Sequence, residues 1–342
     1  MEYPGFCRAG QCKPRMVAIG PAETCLVVHG DLRCWNDPNK PAKDQQFYSF
    51  DKDVVEVAVG FGDKCVRFAD ATARCWGGQS EVSDTVSPYE AVSLPAGSIA
   101  QIRVSTYWAC VVTLPGRQVR CWGSTQRMPS FPGSAEVSYG HMMDIPAVPL
   151  AKPVVSIATG SEHACAVDDE QRVFCWGEGS YGQLGYGSTN SRGSMASDFA
   201  TQVPVGVLIG SVVAGGNWTC ATTPSGAMRC WGDLMSHGNG RIYGDNEAAS
   251  QGGNLQLGGT AVALATGSQD FYHTCALRTD GHVLCWGRAL AWNFGGQLGY
   301  EDSEDIGDDE RPNARGSVNV GEEAVYVTTG GSFGSASCAI GV

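Results

Sequence analysis

Cysteine is the residue whose type and spacing could do chemistry in this chain, which contains 15 cysteines among 342 residues. Twelve of them form six pairs whose members lie 9 to 11 residues apart, each pair followed directly by tryptophan. The pairs are Cys25 and Cys34, Cys65 and Cys75, Cys110 and Cys121, Cys165 and Cys175, Cys220 and Cys230, and Cys275 and Cys285. Zinc sites draw on closer Cys-x-x-Cys pairs. The nearest approach here is Cys7 to Cys12, so the spacing predicts disulfides and no metal site.

The fourth pair shows how a disulfide would form within one repeat. Residues 164–167 and 172–176 are short apolar-rich runs separated by four polar residues, which is typical of a β-hairpin. With the turn centred on Glu170, Cys165 and Cys175 lie opposite each other on neighbouring strands, at a separation that a disulfide spans. The sequence therefore predicts one disulfide in each hairpin.

So many disulfides indicate an oxidising compartment. We expect an extracellular, cell-surface or periplasmic protein. No signal-peptide pattern precedes Tyr3, so we expect that an export leader has been removed. No apolar run has the length of a membrane span, and none is predicted.

Each hairpin belongs to a larger repeat. A short apolar strand that ends in glycine precedes it, as in residues 155–160 and 263–267. A fourth strand is suggested by apolar, proline-bearing segments such as 145–150 and 202–205, because proline suits an edge strand. The first cysteines of successive repeats lie 40 to 63 residues apart. Short antiparallel strands at this spacing are typical of the blades of a β-propeller.

The repeat resembles that of the regulator of chromosome condensation family, in the cysteine-rich form of secreted bacterial proteins. The similarity is clearest in residues 160–187 and 267–300, which carry the family's glycine, histidine, Cys-Trp-Gly and Gly-Gln-Leu-Gly positions. The resemblance implies an all-β fold, a seven-bladed β-propeller in a single domain over residues 1–342. It also implies a binding role, since secreted relatives include an inhibitor of β-lactamases that presents one propeller face to its target.

The chain ends predict how the ring closes. Cys338 matches the first cysteine of a hairpin, but the sequence stops at Val342 before a second arm. Cys7 follows a phenylalanine, as Cys175 does. We therefore expect the N-terminal strand to complete the last blade and Cys7 to bond to Cys338, which would hide two free sheet edges. Cys12 is then a free thiol or a link to a second chain, and a bond from Cys12 to Cys338 is the alternative.

The charge of the chain limits its partners. The formal net charge is −12 and the isoelectric point is about 4.9, whereas nucleic-acid binding needs a cationic surface. We therefore expect no nucleic-acid partner. The chromatin and small-GTPase partners of the family's nuclear members are not carried over.

The residue two positions before the first cysteine varies between repeats. In chain order it is Glu23, Asp63, Trp108, His163, Trp218, His273 and Ala336. Equivalent residues of a propeller form a ring, so Glu23 and Asp63 would be neighbours and could act as an acid and base pair. We favour two solvated turn carboxylates instead. We expect the two histidines to make structural hydrogen bonds and the tryptophans after the second cysteines to pack between blades.

Two acidic segments, residues 301–305 and 308–310, carry enough carboxylates to consider Ca²⁺. Their spacing fits neither the EF-hand nor the calcium-binding nonapeptide repeat. We expect these carboxylates to bond the backbone of a long turn, and no cofactor or metal is predicted.

Three long segments follow the hairpins, at residues 124–144, 234–257 and 288–315. Aromatic and methionine residues on long loops above a rigid scaffold are typical of a protein-binding face, although they could also cap their own blade. The candidates are Phe131, Met142, Met143, Tyr243, Trp292 and Phe294. The sequence thus favours an extracytoplasmic binding or adhesion module that recognises another protein, and not an enzyme. The alternatives are an enzyme acting on a polysaccharide at the central channel and a structural subunit of a cell-surface assembly linked through Cys12.

Overall fold

Short antiparallel strands dominate the structure. The computed structural model describes the backbone of residues 7–8, 11–12, 16–20, 23–28, 30–35, 46–60, 64–76, 92–93, 98–105, 108–123, 145–233, 237, 239–267, 273–291, 294–330 and 336–341. Two 3₁₀ turns lie in this part, Ala196–Ala200 and Ala249–Gly252. None of its helical segments has the length and apolar character needed to cross a bilayer.

The strands group into seven consecutive blades, preceded by β1 (Cys7–Arg8) and β2 (Gln11–Cys12). Blade 1 contains β3 (Met16–Ile19), β4 (Thr24–Val28), β5 (Asp31–Trp35) and β6 (Gln46–Tyr48), and blade 2 contains β7 (Val54–Val59), β8 (Lys64–Phe68), β9 (Ala73–Trp76) and β10 (Val92–Ser93). Blade 3 contains β11 (Ile99–Val104), β12 (Trp108–Thr113) and β13 (Val119–Gly123), and blade 4 contains β14 (Val154–Thr159), β15 (His163–Asp168) and β16 (Val173–Gly177). Blade 5 contains β17 (Ser211–Ala214), β18 (Trp218–Thr222) and β19 (Met228–Gly232), and blade 6 contains β20 (Ala261–Thr266), β21 (His273–Arg278) and β22 (Val283–Gly287). A small pair, β23 (Leu290–Ala291) and β24 (Phe294–Gly295), follows blade 6, and blade 7 contains β25 (Ala324–Gly330) and β26 (Ala336–Gly341).

The first strand of every blade lies at the centre of the molecule. Contacts run from β3 to β7, β11, β14, β17, β20 and β25 in turn, and β25 contacts β3 again. All seven of these strands line one central cavity. The fold is the seven-bladed propeller that the repeats predict.

The six predicted hairpin disulfides are confirmed. In each hairpin the two cysteines are direct cross-strand partners with their Cα atoms 4.1 Å apart. In blade 4 the Asp168 carboxylate accepts the backbone N–H groups of Glu170 at 3.0 Å and Arg172 at 2.8 Å, which closes the turn. The two cysteines of a hairpin stay directly opposite each other although their separation in sequence ranges from 9 to 11 residues.

Each interblade core combines a disulfide with the tryptophan of the following blade. Cys25 and Cys34 share a cluster with Trp76, Cys65 and Cys75 with Trp122, Cys110 and Cys121 with Trp176, Cys165 and Cys175 with Trp231, and Cys220 and Cys230 with Trp286. These five tryptophans are at most 2% exposed. The predicted packing role is therefore confirmed for these five tryptophans, and it places their disulfide partners inside the contact between two blades, whereas Trp35 of blade 1 is only half-buried.

The proline-bearing segments do not form the fourth strand that the sequence predicts. Val148 donates one backbone hydrogen bond to Val119 at 2.9 Å, and Val203 donates one to Val173 at 2.7 Å. Each segment stops there, because its prolines have no N–H with which to extend the ladder. Fourth strands occur instead in blades 1 and 2.

The N-terminal strands also differ from the prediction. β1 pairs with β2, Cys7 lies opposite Cys12, and the sheet of blade 7 contains β25 and β26. The backbone therefore does not support an N-terminal strand in the last blade or the proposed bond from Cys7 to Cys338. A local hairpin costs far less loop-closure entropy than joining the two ends of the chain. The side chains of these three cysteines lie outside the described part, and a chain linkage through Cys12 stays a prediction.

Candidate binding face and central channel

The strand directions give the propeller two unlike faces. The turns after the inner strands and the loops after the third strands lie on one side, where Glu178 N–H donates to the Glu162 carbonyl at 2.9 Å. We call residues 160–162, 178–199, 215–217, 233, 237, 239–247, 288–291 and 294–310 the loop face. The hairpin turns and interblade connections lie on the opposite face, where Ile209 N–H donates to the Gln171 carbonyl at 3.0 Å.

The glycine of Cys-Trp-Gly turns the chain onto the loop face. Gly177, Gly232 and Gly287 have φ values of 108°, 90° and 111°, a region that favours glycine. A Cβ at Gly232 would lie 2.7 Å from the Cα of Trp218. A larger residue would therefore push the loop away from its blade.

The Gly-Gln-Leu-Gly motif anchors the loop to the next blade. Gln183 is 1% exposed, and its carbonyl accepts the Trp231 indole N–H at 2.9 Å and the Thr219 hydroxyl at 2.9 Å. In the equivalent loop after blade 6 the Gln297 carbonyl accepts the Ser337 hydroxyl at 2.9 Å. Sequence reasoning used this motif only as a family mark and missed its role as an interblade clamp.

The two histidines before the hairpin cysteines connect neighbouring blades. His163 Nε2 lies 2.9 Å from Thr219 Oγ1, and His273 Nε2 lies 3.1 Å from Ser337 Oγ. Both partners directly precede the first cysteine of their own blade. Burial lowers the pKa of His163 to about 3, so this imidazole is neutral at physiological pH. The predicted structural hydrogen bonds are confirmed.

Glu23 is not a solvated turn residue. Its Oε1 lies 2.5 Å from Lys64 Nζ, and the two side chains are only 11% and 6% exposed. This ion pair joins blade 1 to blade 2 at the position where Trp218 Nε1 donates to Thr274 Oγ1 at 3.1 Å between blades 5 and 6. The predicted solvated role of Glu23 is therefore wrong, while Asp63 lies outside the described residues.

The central channel has a volume of about 250 Å³ and is lined by the inner strands of all seven blades. Most of its lining is backbone, short aliphatic side chains and hydroxyls. Among the described residues that line it, Arg103 is the single charged one. In the described part the channel therefore brings together neither a carboxylate pair nor an activated nucleophile, which an enzyme of the alternative kind would need.

The predicted binding residues have mixed outcomes. Tyr243 is only 9% exposed, and its hydroxyl accepts a hydrogen bond from Asn239 Nδ2 at 3.0 Å. Its ring packs on His237 with a centroid distance of 4.6 Å. It thus anchors its own loop, and its assignment to an exposed binding surface is wrong. Phe131, Met142, Met143 and Trp292 lie outside the described residues, as does the side chain of Phe294.

Sequence reasoning missed three exposed apolar residues on the loop face. Tyr181, Met195 and Ile242 are 47%, 62% and 38% exposed. Tyr181 and Met195 stand in the loop after blade 4, which the prediction did not include among its binding segments. The Cys-Trp-Gly motif at the start of that loop, shared with the predicted segments, was the available signal.

In the acidic loop after blade 6, two carboxylates bond the backbone as predicted. The Asp302 carboxylate accepts the backbone N–H of Glu304 at 3.1 Å, and the Asp305 carboxylate accepts that of Ala289 at 2.8 Å. Asp308, Asp309 and Glu310 each bring one ligand oxygen to within 4.8 Å of the others. Burial and the two neighbouring carboxylates raise the pKa of Glu310 to about 7.

Family models recognise the central repeats. The regulator of chromosome condensation (RCC1) repeat matches residues 154–183, 170–221 and 271–297. The chain carries RCC1 repeats. The matched ranges cover blade 4 and much of blades 5 and 6, and the other blades share the same architecture of an inner strand followed by antiparallel partners.

Three known proteins resemble this chain to different extents. It is 29% identical over 318 residues to the ultraviolet-B receptor UVR8 of Arabidopsis thaliana, a match that covers 86% of this chain and 68% of the receptor. It is 35% identical over 150 residues to the human E3 ubiquitin-protein ligase HERC2, but spans only 3% of that ligase. The crystal structure of Prp20p from Saccharomyces cerevisiae superimposes with a TM-score of 0.69 at 16% identity, over 94% of this chain and 81% of Prp20p. This last match supports the RCC1-type propeller fold.

Proposed function

We propose that this protein is a binding or adhesion module that acts outside the cytosol and recognises another protein through its loop face. The observation that carries the proposal is the exposure of Tyr181 and Met195 on loops held by a rigid scaffold. Tyrosine and methionine are enriched in protein interfaces, and buried aromatic anchors supply much of the binding energy.

The loop that carries Tyr181 and Met195 is linked to the loop after blade 5, which is linked in turn to the loop after blade 6. Gly187 and Ser188 donate backbone hydrogen bonds to the Gly244 carbonyl at 3.2 and 3.3 Å, and Gly240 donates to the Asp308 carbonyl at 2.8 Å. The loops after blades 4, 5 and 6 therefore form one continuous surface. A preformed surface loses less conformational entropy on binding than a flexible one.

The opposite face offers a different set of side chains. Its exposed large apolar residues are aliphatic: Val207, Leu208, Val262, Val320 and Val325. The exposed aromatic Phe47 lies apart from this set, on β6 at the outer edge of blade 1. Leucine and valine are under-represented among residues that dominate binding energy. This difference favours the loop face as the site of recognition.

The acidic loop after blade 6 favours a partner with a basic contact surface. Residues 301–310 contain seven carboxylates, and Arg315 pairs with two of them, Asp302 and Glu304, which leaves an excess of negative charge. Opposite charges speed association and are screened by salt. Binding is expected to weaken as the ionic strength rises.

The six disulfides support a location outside the cytosol, because a reducing cytosol would not maintain them. A role in protein binding agrees with Prp20p, whose structure was described together with its binding to Gsp1p and histones. Its specific partners are not transferred, because at 16% identity the likeness concerns the fold.

The test begins with identification of the partner by pull-down from the native surface or secretome and mass spectrometry. Tyr181→Ser and Met195→Ser should then each weaken binding about tenfold, as expected for interface anchors. Trp292→Ala and Phe294→Ala belong in the same series. Leu208→Ser is the control on the opposite face and should bind normally. Loss of binding in this control, with normal binding by both loop-face variants, would contradict the proposal.

A further inference from the structure

The register of the inner strands places one residue of each blade opposite a first hairpin cysteine. We call this set the channel ring: Ala18, Ala58, Arg103, Ala158, Val213, Ala265 and Thr328. Six of its members are short and uncharged, and one is an arginine. Arg103 thus faces a cavity of about 250 Å³ that short side chains leave open.

Arg103 carries a charge that its neighbours do not fully compensate. Its Nη1 bonds to the carboxylate of Glu56 and to the Ile102 carbonyl, and Glu56 also accepts Arg67 Nε at 2.7 Å. Two guanidinium groups therefore share one carboxylate, which leaves a net charge of one positive unit. Within the described part, the Nε and Nη2 atoms of Arg103 have no hydrogen-bond partner. This edge of a guanidinium group matches the two oxygens of a carboxylate.

A phenol lines the same cavity. Tyr326 is one of its lining residues, and burial raises the pKa of its phenol. It therefore stays protonated and can donate a hydrogen bond.

We propose that the central channel binds a small organic carboxylate, which Arg103 holds through Nε and Nη2 while Tyr326 bonds another of its polar atoms. The cavity is slightly below the range of about 300 to 1,000 Å³ typical of drug-sized ligands, so a compact metabolite-sized acid fits it best. The site requires no catalytic step. It is separate from the side chains proposed to bind a protein on the loop face.

Calorimetric titration of the full chain with matched acids and amides tests this site. The probes are acetate, pyruvate and glucuronate, each compared with acetamide, pyruvamide and glucuronamide. At least one acid should bind about tenfold more tightly than its amide, because only the acid forms charge-assisted hydrogen bonds. Arg103→Gln should reduce its affinity about tenfold or more, and Tyr326→Phe about threefold. Arg33→Gln, which changes an exposed arginine on the outer part of blade 1, should bind normally.

Three results would overturn the inference: no acid binds at concentrations up to about 20 mM, acids and amides bind equally, or Arg103→Gln binds as tightly as the original chain. Circular dichroism establishes whether each variant is folded. If Arg103→Gln does not fold, Arg103→Lys replaces it, because lysine keeps the charge but loses the two-pronged geometry. Undiminished binding by Arg103→Lys together with Tyr326→Phe would equally contradict the site.

Discussion

The junction between blades 4 and 5 and the junction between blades 1 and 2 use different chemistry at the same two positions. In the first, His163 Nε2 lies 2.9 Å from Thr219 Oγ1, and in the second, Glu23 Oε1 lies 2.5 Å from Lys64 Nζ. Both contacts lie beside a disulfide and the tryptophan of the next blade. The fold thus fixes where the two side chains meet, but it does not fix whether they are neutral or charged.

The largest expected effect concerns what the two junctions share. Trp231→Ala between blades 4 and 5, and Trp76→Ala between blades 1 and 2, should each lower the free energy of unfolding by about 3 to 5 kcal/mol, because each leaves a cavity in an interblade core. Denaturant unfolding of both variants measures this. A loss below about 1 kcal/mol at either junction would show that its tryptophan is not a core residue.

The second prediction separates the charged junction from the neutral one. Lys64→Met leaves Glu23 buried without its counterion and should cost about 3 to 5 kcal/mol of stability. Adding Glu23→Gln should recover most of that loss, because the unpaired charge is removed. A double variant as unstable as Lys64→Met alone would mean that packing, and not charge, decides this junction.

The third prediction compares the disulfides of the same two junctions. Their loops close over 9 residues for Cys25 and Cys34 and 10 for Cys165 and Cys175. Chain-entropy estimates give about 2 to 3 kcal/mol for either, so replacing either pair by alanine should cost similar stability. Thiol counting of the unfolded, unreduced protein is the control for bond formation. Free thiols at Cys165 and Cys175 would contradict both this prediction and the proposed oxidising compartment.

The smallest expected effect is a pH dependence of the neutral junction. The folded pKa of His163 is about 3, below the ordinary value of about 6.5 for an unfolded histidine. The contribution of neutral His163 to the free energy of unfolding is therefore complete above pH ~6.5 and is lost as the pH falls toward about 3. Between pH 7 and pH 5 this loss should be about 2 kcal/mol. His163→Gln should remove this part of the pH dependence, and an unchanged pH profile would contradict the assignment.

The local parts of this architecture could be predicted from the sequence. Cysteine spacing predicts the hairpin register, and the Cys-Trp-Gly repeat predicts buried tryptophans, because both depend on residues within one blade. The ion pair of Glu23 could not be predicted in this way, because its partner Lys64 belongs to the next blade. Nothing in the sequence around Lys64 indicates that it pairs with Glu23. Tyr243 looked like a loop anchor for a partner, but its burial depends on the neighbouring blade. The Nε and Nη2 edge of Arg103 likewise faces an open channel only because the six other blades carry short residues at the equivalent position.

The central claim is that the loop face recognises a protein partner. Site-specific photo-cross-linking tests it most directly, with a photoreactive residue at Tyr181 on the loop face or at Leu208 on the opposite face, which are 47% and 60% exposed. In the native surface or secretome fraction, Tyr181 should give a cross-link to one partner that excess unlabelled protein competes away, and Leu208 should give none. A competed cross-link at Leu208 with none at Tyr181 would contradict the claim.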